Sequence, residues 1–417
     1  MATARSFQEL LNEYLPERLL KEELVKRDWL LNKVDKPDGW KGGDLIVPFQ
    51  KQRASSVSFG SLTAENDIAE ADYIRGKESQ KEAFLSLKFN WRDLQEHDGK
   101  IPETTFLRIL PDQLEDSMSL FKERLSTQML GRPYIAVAAA NGTDAGVLEV
   151  DRIERFEVDM KIEVSDGTAY YVTSVDLNAS TITLSATRGG AGADLSTGAL
   201  QIDADDELFE PGVNDTGAPA NAFNNLVTML LPASAGGSAA IHGVTKLDAP
   251  ITQAIAINGG SGGLAISASN ILDKLFEAYT IVRRKSRGNA RHIVMSYKHL
   301  GSVMQAIEEQ KGPFKVSAGD RKASLYGWTE IELHTVKGSL TIVGVQEMSD
   351  TEILYLDMKT LKFHTNGMFK KIKSPDGLEY YTVRATSGYS YICDVACFGN
   401  LVCNKPSSNA VIYGISY

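Results

Sequence analysis

The sequence predicts an α+β protein into which a small all-β domain is inserted. Three observations carry that prediction. Residues 42–92 alternate apolar and polar side chains in two arms, as a β-ribbon does. Residues 111–130 carry one apolar stripe at helical spacing. Residues 134–212 hold strand and turn signals and almost nothing helical. At 417 residues, 43% of them hydrophobic and 24% charged, the chain is long enough for two or three domains with a real core. A net charge of −10 argues against a dedicated nucleic-acid-binding protein, which needs a basic face.

Residues 1–41 read as a helical arm. Ser6 and Glu9 form an S-x-x-E capping box, followed by Phe7, Leu10, Leu11 and Tyr14 at helical spacing, with Pro16 as a stop. Leu19, Leu20 and Leu24 lead on to Trp29 and Leu30, and Pro37-Asp38-Gly39 closes the arm.

The ribbon occupies an extended loop, residues 42–98. Its outgoing arm, Asp44–Phe59, places Val47, Phe49, Val57 and Phe59 at alternating positions. Its returning arm, Glu82–Trp91, does the same with Leu85, Leu87, Phe89 and Trp91. Two strands cannot bury an apolar face on each other, so the covering surface must come from elsewhere in the chain or from another chain. These eight residues are therefore candidate assembly contacts, together with Arg283, Arg284 and Lys285 from a basic cluster further along the chain.

Residues 99–133 contain the clearest helix, opened by Pro111 and ended by Gly131 and Pro133. Leu114, Met118, Phe121, Leu125 and Met129 fall on one stripe, and Asp112, Glu115 and Asp116 suit the positive end of the dipole. In the all-β insertion, residues 134–212, Glu157–Val164 and Ala169–Val175 flank the turn Ser165-Asp166-Gly167-Thr168, and Thr181–Leu184 follows.

Residues 213–365 read as mixed α/β. Ile251–Ile257 is strand-like, Asn258–Gly263 a flexible link, and Ser269-Asn270 caps a helix from Ile271 to Val282. A strand at Ile293–Met295, a helix carrying Leu300 to Ile307 that Gly312-Pro313 ends, and strands at 329–336, 340–345, 353–356 and 361–364 complete it. Residues 366–417 supply closing strands at Tyr380–Arg384 and Tyr389–Val395.

Gly259-Gly260-Ser261-Gly262-Gly263 satisfies G-x-S-x-G, and Asp273 and His364 follow in hydrolase order. A nucleophile elbow needs its helix to begin at the serine, whereas the cap here is Ser269, so the hydrolase at Ser261 is the weak alternative and a linker the preferred reading. His97, His242, His292, His299, His334 and His364 form no metal-spaced pair, and structural or surface roles are expected of them. Cys393, Cys397 and Cys403 match no zinc spacing and read as buried thiols. Asp203, Asp205, Asp206 and Glu207 lack the spacing of a known calcium loop and read as a solvated rim. Arg283, Arg284, Lys285, Arg287 and Arg291 form the basic cluster, suited either to a helix C-terminus or to acid groups of a neighbouring subunit or enclosed nucleic acid. No catalytic residue, cofactor or metal is assigned. Charges in the first apolar run argue against a signal peptide, and no run reaches the ~18 apolar residues of a membrane span, so folding in a reducing cytoplasm is expected.

The order of parts (helical arm, extended ribbon, long amphipathic helix, α/β body, returning strands) resembles the major capsid proteins of tailed bacteriophages of the Hong Kong 97 type. GGDLIVPFQ, SVSFG and FLSLKFNW resemble the family's extended loop, and PDQLEDSMSLFKERLSTQML its spine helix. NILDKLFEAYTIVRRKSRGNARHIVMSYKHLGSVMQAI resembles the axial domain, EYYTVRATSGYSYICDVACFGNLVC the strands returning to the peripheral domain, and DRIERFEVDMKIEVSDG an insertion domain. The resemblance implies a non-enzymatic shell protein whose hexamers and pentamers close an icosahedral virion head. That head would be assembled in the host cytoplasm around double-stranded DNA held without sequence-specific contacts. It also implies a separate scaffolding protein and a portal, with a decoration protein as a further candidate partner. An encapsulin-like compartment shell is the alternative within the fold, and a surface-binding module built on the insertion a third reading.

Overall fold

The computed structural model describes residues 4–14, 28–52, 72–90, 101–131, 134–140, 147–150, 152–164, 167–190, 207–211, 222–248, 250–286, 288–310, 330–335, 338–385 and 388–416. They divide into two compact units, one of residues 1–131 with 223–417 and one of residues 132–222.

In the larger unit a six-stranded mixed sheet runs in the order Ile255–Asn258, Ala410–Tyr413, Ile353–Leu356, His292–Met295, Gly338–Gly344, Glu330–Thr335. All four residues of Ile353–Leu356 are buried, because a central strand must present apolar side chains to both faces. On one face the helices Ile271–Lys285 and Tyr297–Gln310 pack Leu275, Ala278, Val282 and Val303 against Ile293, Ile342 and Ile412. The fully buried Tyr355 keeps its hydroxyl satisfied by donating to the Leu275 carbonyl at 2.9 Å. On the other face Val294, Val343, Leu354 and Val411 join a second core with Phe121, Leu125, Met129, Phe363 and Leu401.

The second sheet is antiparallel and built on the long strand Gly388–Cys403. One edge of that strand pairs with Lys81–Asn90; the other pairs in turn with Tyr381–Ala385, Lys370–Lys371 and Leu361–Thr365. Residues 35–38 run along Leu361–Thr365 through bridges at Asp35 and Asp38. The helix Phe7–Tyr14 opens with the expected capping box, Ser6 N–H on Glu9 Oε2 at 3.0 Å and Glu9 N–H on Ser6 Oγ at 3.4 Å.

Several expectations are corrected. The long helix spans Glu103–Leu130, so Pro111 lies inside it and Asp112, Glu115 and Asp116 are not its first turn. Proline costs a helix one hydrogen bond but its φ is helical, and Thr104 to Leu110 offer no other break. At the far end Asn225 donates to the carbonyls of Gln128 (2.7 Å) and Gly131, while its own Oδ1 caps Leu226–Leu230 through Thr228 N–H. The closing segment also divides. Leu361–Thr365 and Gly388–Cys403 lie in one sheet, whereas Ala410–Tyr413 returns to the α/β sheet between Ile255–Asn258 and Ile353–Leu356. Glu157–Met160 is not strand: Asp159 takes φ 68°, and the strand begins at Lys161. The stops at Pro16 and Gly312-Pro313, and Leu19, Leu20 and Leu24, lie outside the described residues.

The smaller unit is a closed antiparallel barrel in the order Thr181–Ser185, Val147–Val150, Tyr134–Ala140, Glu207–Phe209, Lys161–Val164, Ala169–Asp176. Leu148, Val150, Phe156, Ile162, Tyr170, Val172, Ile182 and Leu184 fill it. Closure pairs both edges of the sheet with each other, among the described residues.

Candidate assembly surface

The ribbon is made by Leu45–Gln52 and Asp72–Glu78, paired antiparallel. Its register puts Leu45, Val47 and Phe49 opposite Glu78, Gly76 and Ile74 on one face, and Ile46, Pro48 and Gln50 opposite Lys77, Arg75 and Tyr73 on the other. The first face is closed against the body: Val47 is 2% exposed and Phe49 0%. The second stands open, with Ile46 and Tyr73 each 57% exposed. This outer face mixes apolar Ile46, Pro48 and Tyr73 with basic Arg75 and Lys77. The ion pairs flanking it, Lys77–Asp44 at 3.8 Å and Lys51–Asp72 at 3.6 Å, are solvent-exposed and worth little.

A second open apolar face lies on the antiparallel sheet. The inner face carries Leu87, Phe89, Cys393, Val395 and Cys397 into the core, where Phe7 stacks on Tyr391 at 4.6 Å. The opposite face presents Phe84 (54% exposed), Tyr381 (41%) and Val383 (40%), and Phe84 meets Phe398 edge-on at 6.2 Å. Exposed Glu82 and Lys88, with half-buried Asp394, share that face.

The nominated contacts sort accordingly. Val47, Phe49, Leu87 and Phe89 are buried in the chain's own core, and Leu85 packs half-buried against it, so none is free to face a neighbour. Lys81–Asn90 is not the ribbon's returning arm; Asp72–Glu78 is. The reason is the one that raised the question: alternation reveals a face that must be covered, and here the chain covers it with its own long strand. Val57, Phe59 and Trp91 lie outside the described residues. Sequence reasoning missed Ile46 and Phe84 because each sits at an out-of-phase position of its strand, where an apolar residue looks like noise, and Tyr73 because the polar segment around it gives no strand signal.

In the basic cluster Arg283 is committed internally, donating to Asn289 Oδ1 at 2.7 Å and lying 5.9 Å from the Tyr279 ring centre. Arg284, Lys285 and Arg291 are exposed, and Arg287 lies outside the described residues. Ser261 sits on an exposed turn ten residues before the helix Ile271–Lys285, too far for that helix to serve an oxyanion. Nor is its glycine segment a loose link. Gly263 N–H bonds Gly260 C=O at 2.9 Å, Leu264 N–H bonds Asn258 C=O at 2.8 Å, and a Cβ on Gly263 would meet the Asn258 carbonyl oxygen at 2.0 Å. His364 lies in a strand of the other sheet.

Cys393, Cys397 and Cys403 are free, buried thiols, each pushed up to about 12 by burial. His299 donates from Nε2 to the Asp350 carbonyl at 2.7 Å, and burial lowers its pKa. Asp203, Asp205 and Asp206 are outside the described residues, and among the described ones no group of three acidic, histidine or cysteine side chains is placed to hold a metal ion. No described helix is long and apolar enough to cross a membrane.

No protein-family model and no curated protein matches the chain. Among solved structures it is similar to the Cyanophage A-1(L) capsid asymmetric unit, with 12% identity over 93% of this chain and 91% of that one, at a TM-score of 0.45. The capsid of an empty GTA particle aligns with 10% identity over 93% and 96%, at 0.43. The SrpI encapsulin of Synechococcus elongatus aligns with 9% identity over 94% and 89%, at 0.42.

Proposed function

We propose that the protein is the major shell subunit of a tailed-phage-type capsid, a structural protein whose copies close into hexamers and pentamers around double-stranded DNA. The observation that carries this reading is the two-faced ribbon. One face is anchored in the body, and the other holds Ile46, Pro48 and Tyr73 out to solvent beside Arg75 and Lys77. A monomer gains nothing from such a face, whereas a neighbour does. The uncovered sheet face with Phe84, Tyr381 and Val383 is the complementary surface on the next copy, and Glu82 and Asp394 there suit the ribbon's basic residues.

On this reading the helix Glu103–Leu130 is the spine of a peripheral domain, the six-stranded sheet with its two helices is the axial domain, and the barrel is an insertion. The acidic balance suits a wall that must not bind packaged DNA tightly. A scaffolding protein, a portal and a decoration protein are the partners such a shell takes.

The test is a ribbon-face variant, Ile46→Asp with Tyr73→Asp. Wild-type protein is expected to sediment as closed particles, and the variant to stay folded by circular dichroism yet form none. Wild-type protein that stays monomeric, or a variant that assembles normally, would overturn the proposal.

A further inference from the structure

We infer that His242 is a latch that fixes the attitude of the ribbon on the body, and that opening it frees the ribbon without unfolding the sheet beneath. This rests on the reading of the ribbon as a docking element.

The strands Ala240–Ile241 and Val244–Thr245 are joined by a two-residue turn, His242-Gly243, with φ of 49° and 74°. Turns left-handed at both positions favour Asn-Gly, since the Cβ of an L-residue crowds the following carbonyl there and Asn offsets this with local hydrogen bonds. A non-glycine residue at positive φ is uncommon, so the contacts that hold His242 there are the place to look for the reason.

Those contacts grip both ribbon strands and the sheet at once. The ring stacks on Phe49 of the outgoing strand at 5.9 Å and 9°. Its Nδ1 lies 2.6 Å from Glu78 Oε2, and its backbone carbonyl accepts Lys77 N–H at 2.8 Å, both on the returning strand. Its Nε2 lies 3.1 Å from Cys403 N–H in the long strand of the sheet and accepts from it. With Nε2 accepting, the neutral ring carries its proton on Nδ1 and donates it to Glu78. The second Glu78 oxygen accepts from Asn400 Nδ2 at 2.9 Å, and Asn400 Oδ1 in turn accepts from the backbone of Asn224 and Leu401.

Among the described residues, every hydrogen bond between the ribbon strands and the rest of the body runs through His242 or Glu78. The fit is close enough to need a glycine. A Cβ on Gly76 would meet both the His242 carbonyl oxygen and the Phe49 ring at 2.9 Å. Only Ser79 and Gln80 separate Glu78 from the sheet strand Lys81–Asn90, so a short hinge lies beside the latch.

Two variants open the latch from different sides. His242→Asn keeps a residue suited to the left-handed turn but removes the ring, and Gly76→Ala wedges the ribbon away while leaving every polar group in place. Hydrogen–deuterium exchange is read on unassembled protein, and particle formation separately. In both variants the amides of 45–52 and 72–78 are expected to exchange at least tenfold faster, those of 292–295 and 388–399 to keep wild-type rates, and particle yield to fall; the Cys403 amide, which donates to the ring, is left out of the control set. Ribbon amides at the wild-type rate would overturn the latch, as would acceleration spread over both sheets, which would make His242 an ordinary core residue. Should one variant fail to fold, the other decides. A wild-type protein that never forms particles would sink the shell reading, while the exchange result would still judge the latch.

Discussion

Lys246 hydrogen-bonds only backbone carbonyls. Its Nζ donates to Leu231 O at 2.6 Å and Thr228 O at 3.3 Å, beyond the C-terminus of Leu226–Leu230, and the residue is 8% exposed. Burial lowers its ammonium from the ordinary 10.5 to about 8. Between those two values the unfolded chain binds more protons than the folded one, so this residue's contribution to stability rises with pH across that window. The three thiols act oppositely above about pH 9, since burial keeps them protonated in the folded chain alone. A comparison with Lys246→Met cancels them. Wild-type protein should gain on the variant between pH 7.5 and 10.5 by on the order of 2–3 kcal/mol, measured by urea unfolding at each pH. A constant difference would mean that the lysine is not desolvated.

At the scale of single elements, what was legible in the sequence depends on whether the signal is local. The stripe Met118, Phe121, Leu125 and Met129 is local, and all four side chains are buried. The capping box at Ser6 and Glu9 is local too, and it forms. The start of the long helix was misplaced because Pro111 is read as an opening whenever it is tolerated inside. The ribbon's returning arm was misplaced because Leu87 and Phe89 advertise a buried face without naming the strand that covers it. Leu125→Asp places an unpaired charge among Phe121, Met129 and the sheet, at a cost of several kcal/mol, a large share of a domain's stability. It should yield unfolded or insoluble protein, whereas the control Phe84→Asp, on the open sheet face, should keep a native circular dichroism spectrum. A soluble, native Leu125→Asp would mean that the helix is not a core element.

At the scale of the molecule, the all-β insertion was visible through its local hairpin, since Lys161–Val164, Ala169–Asp176 and Thr181–Ser185 pair in chain order, whereas the pairings of Glu207–Phe209 that close the barrel were not. Gly167, at φ 87°, closes the hairpin between Lys161–Val164 and Ala169–Asp176. The pairing within the larger unit was not visible. Gly388–Cys403 meets Lys81–Asn90 across some three hundred residues, and Ala410–Tyr413 slots between strands that precede it, relations that no periodicity encodes. The outward residues Ile46, Tyr73 and Phe84 became meaningful only once the pairing had fixed which side of each strand was already covered. On the proposed reading the ribbon's open face on one copy lies on the open sheet face of another. Cryo-electron microscopy of purified particles would resolve that contact. The expected map shows closed shells in which Ile46 and Tyr73 of each ribbon lie against Phe84 and Val383 of a neighbouring copy. Particles in which that ribbon face stays in solvent, or a preparation holding only monomers, would contradict it.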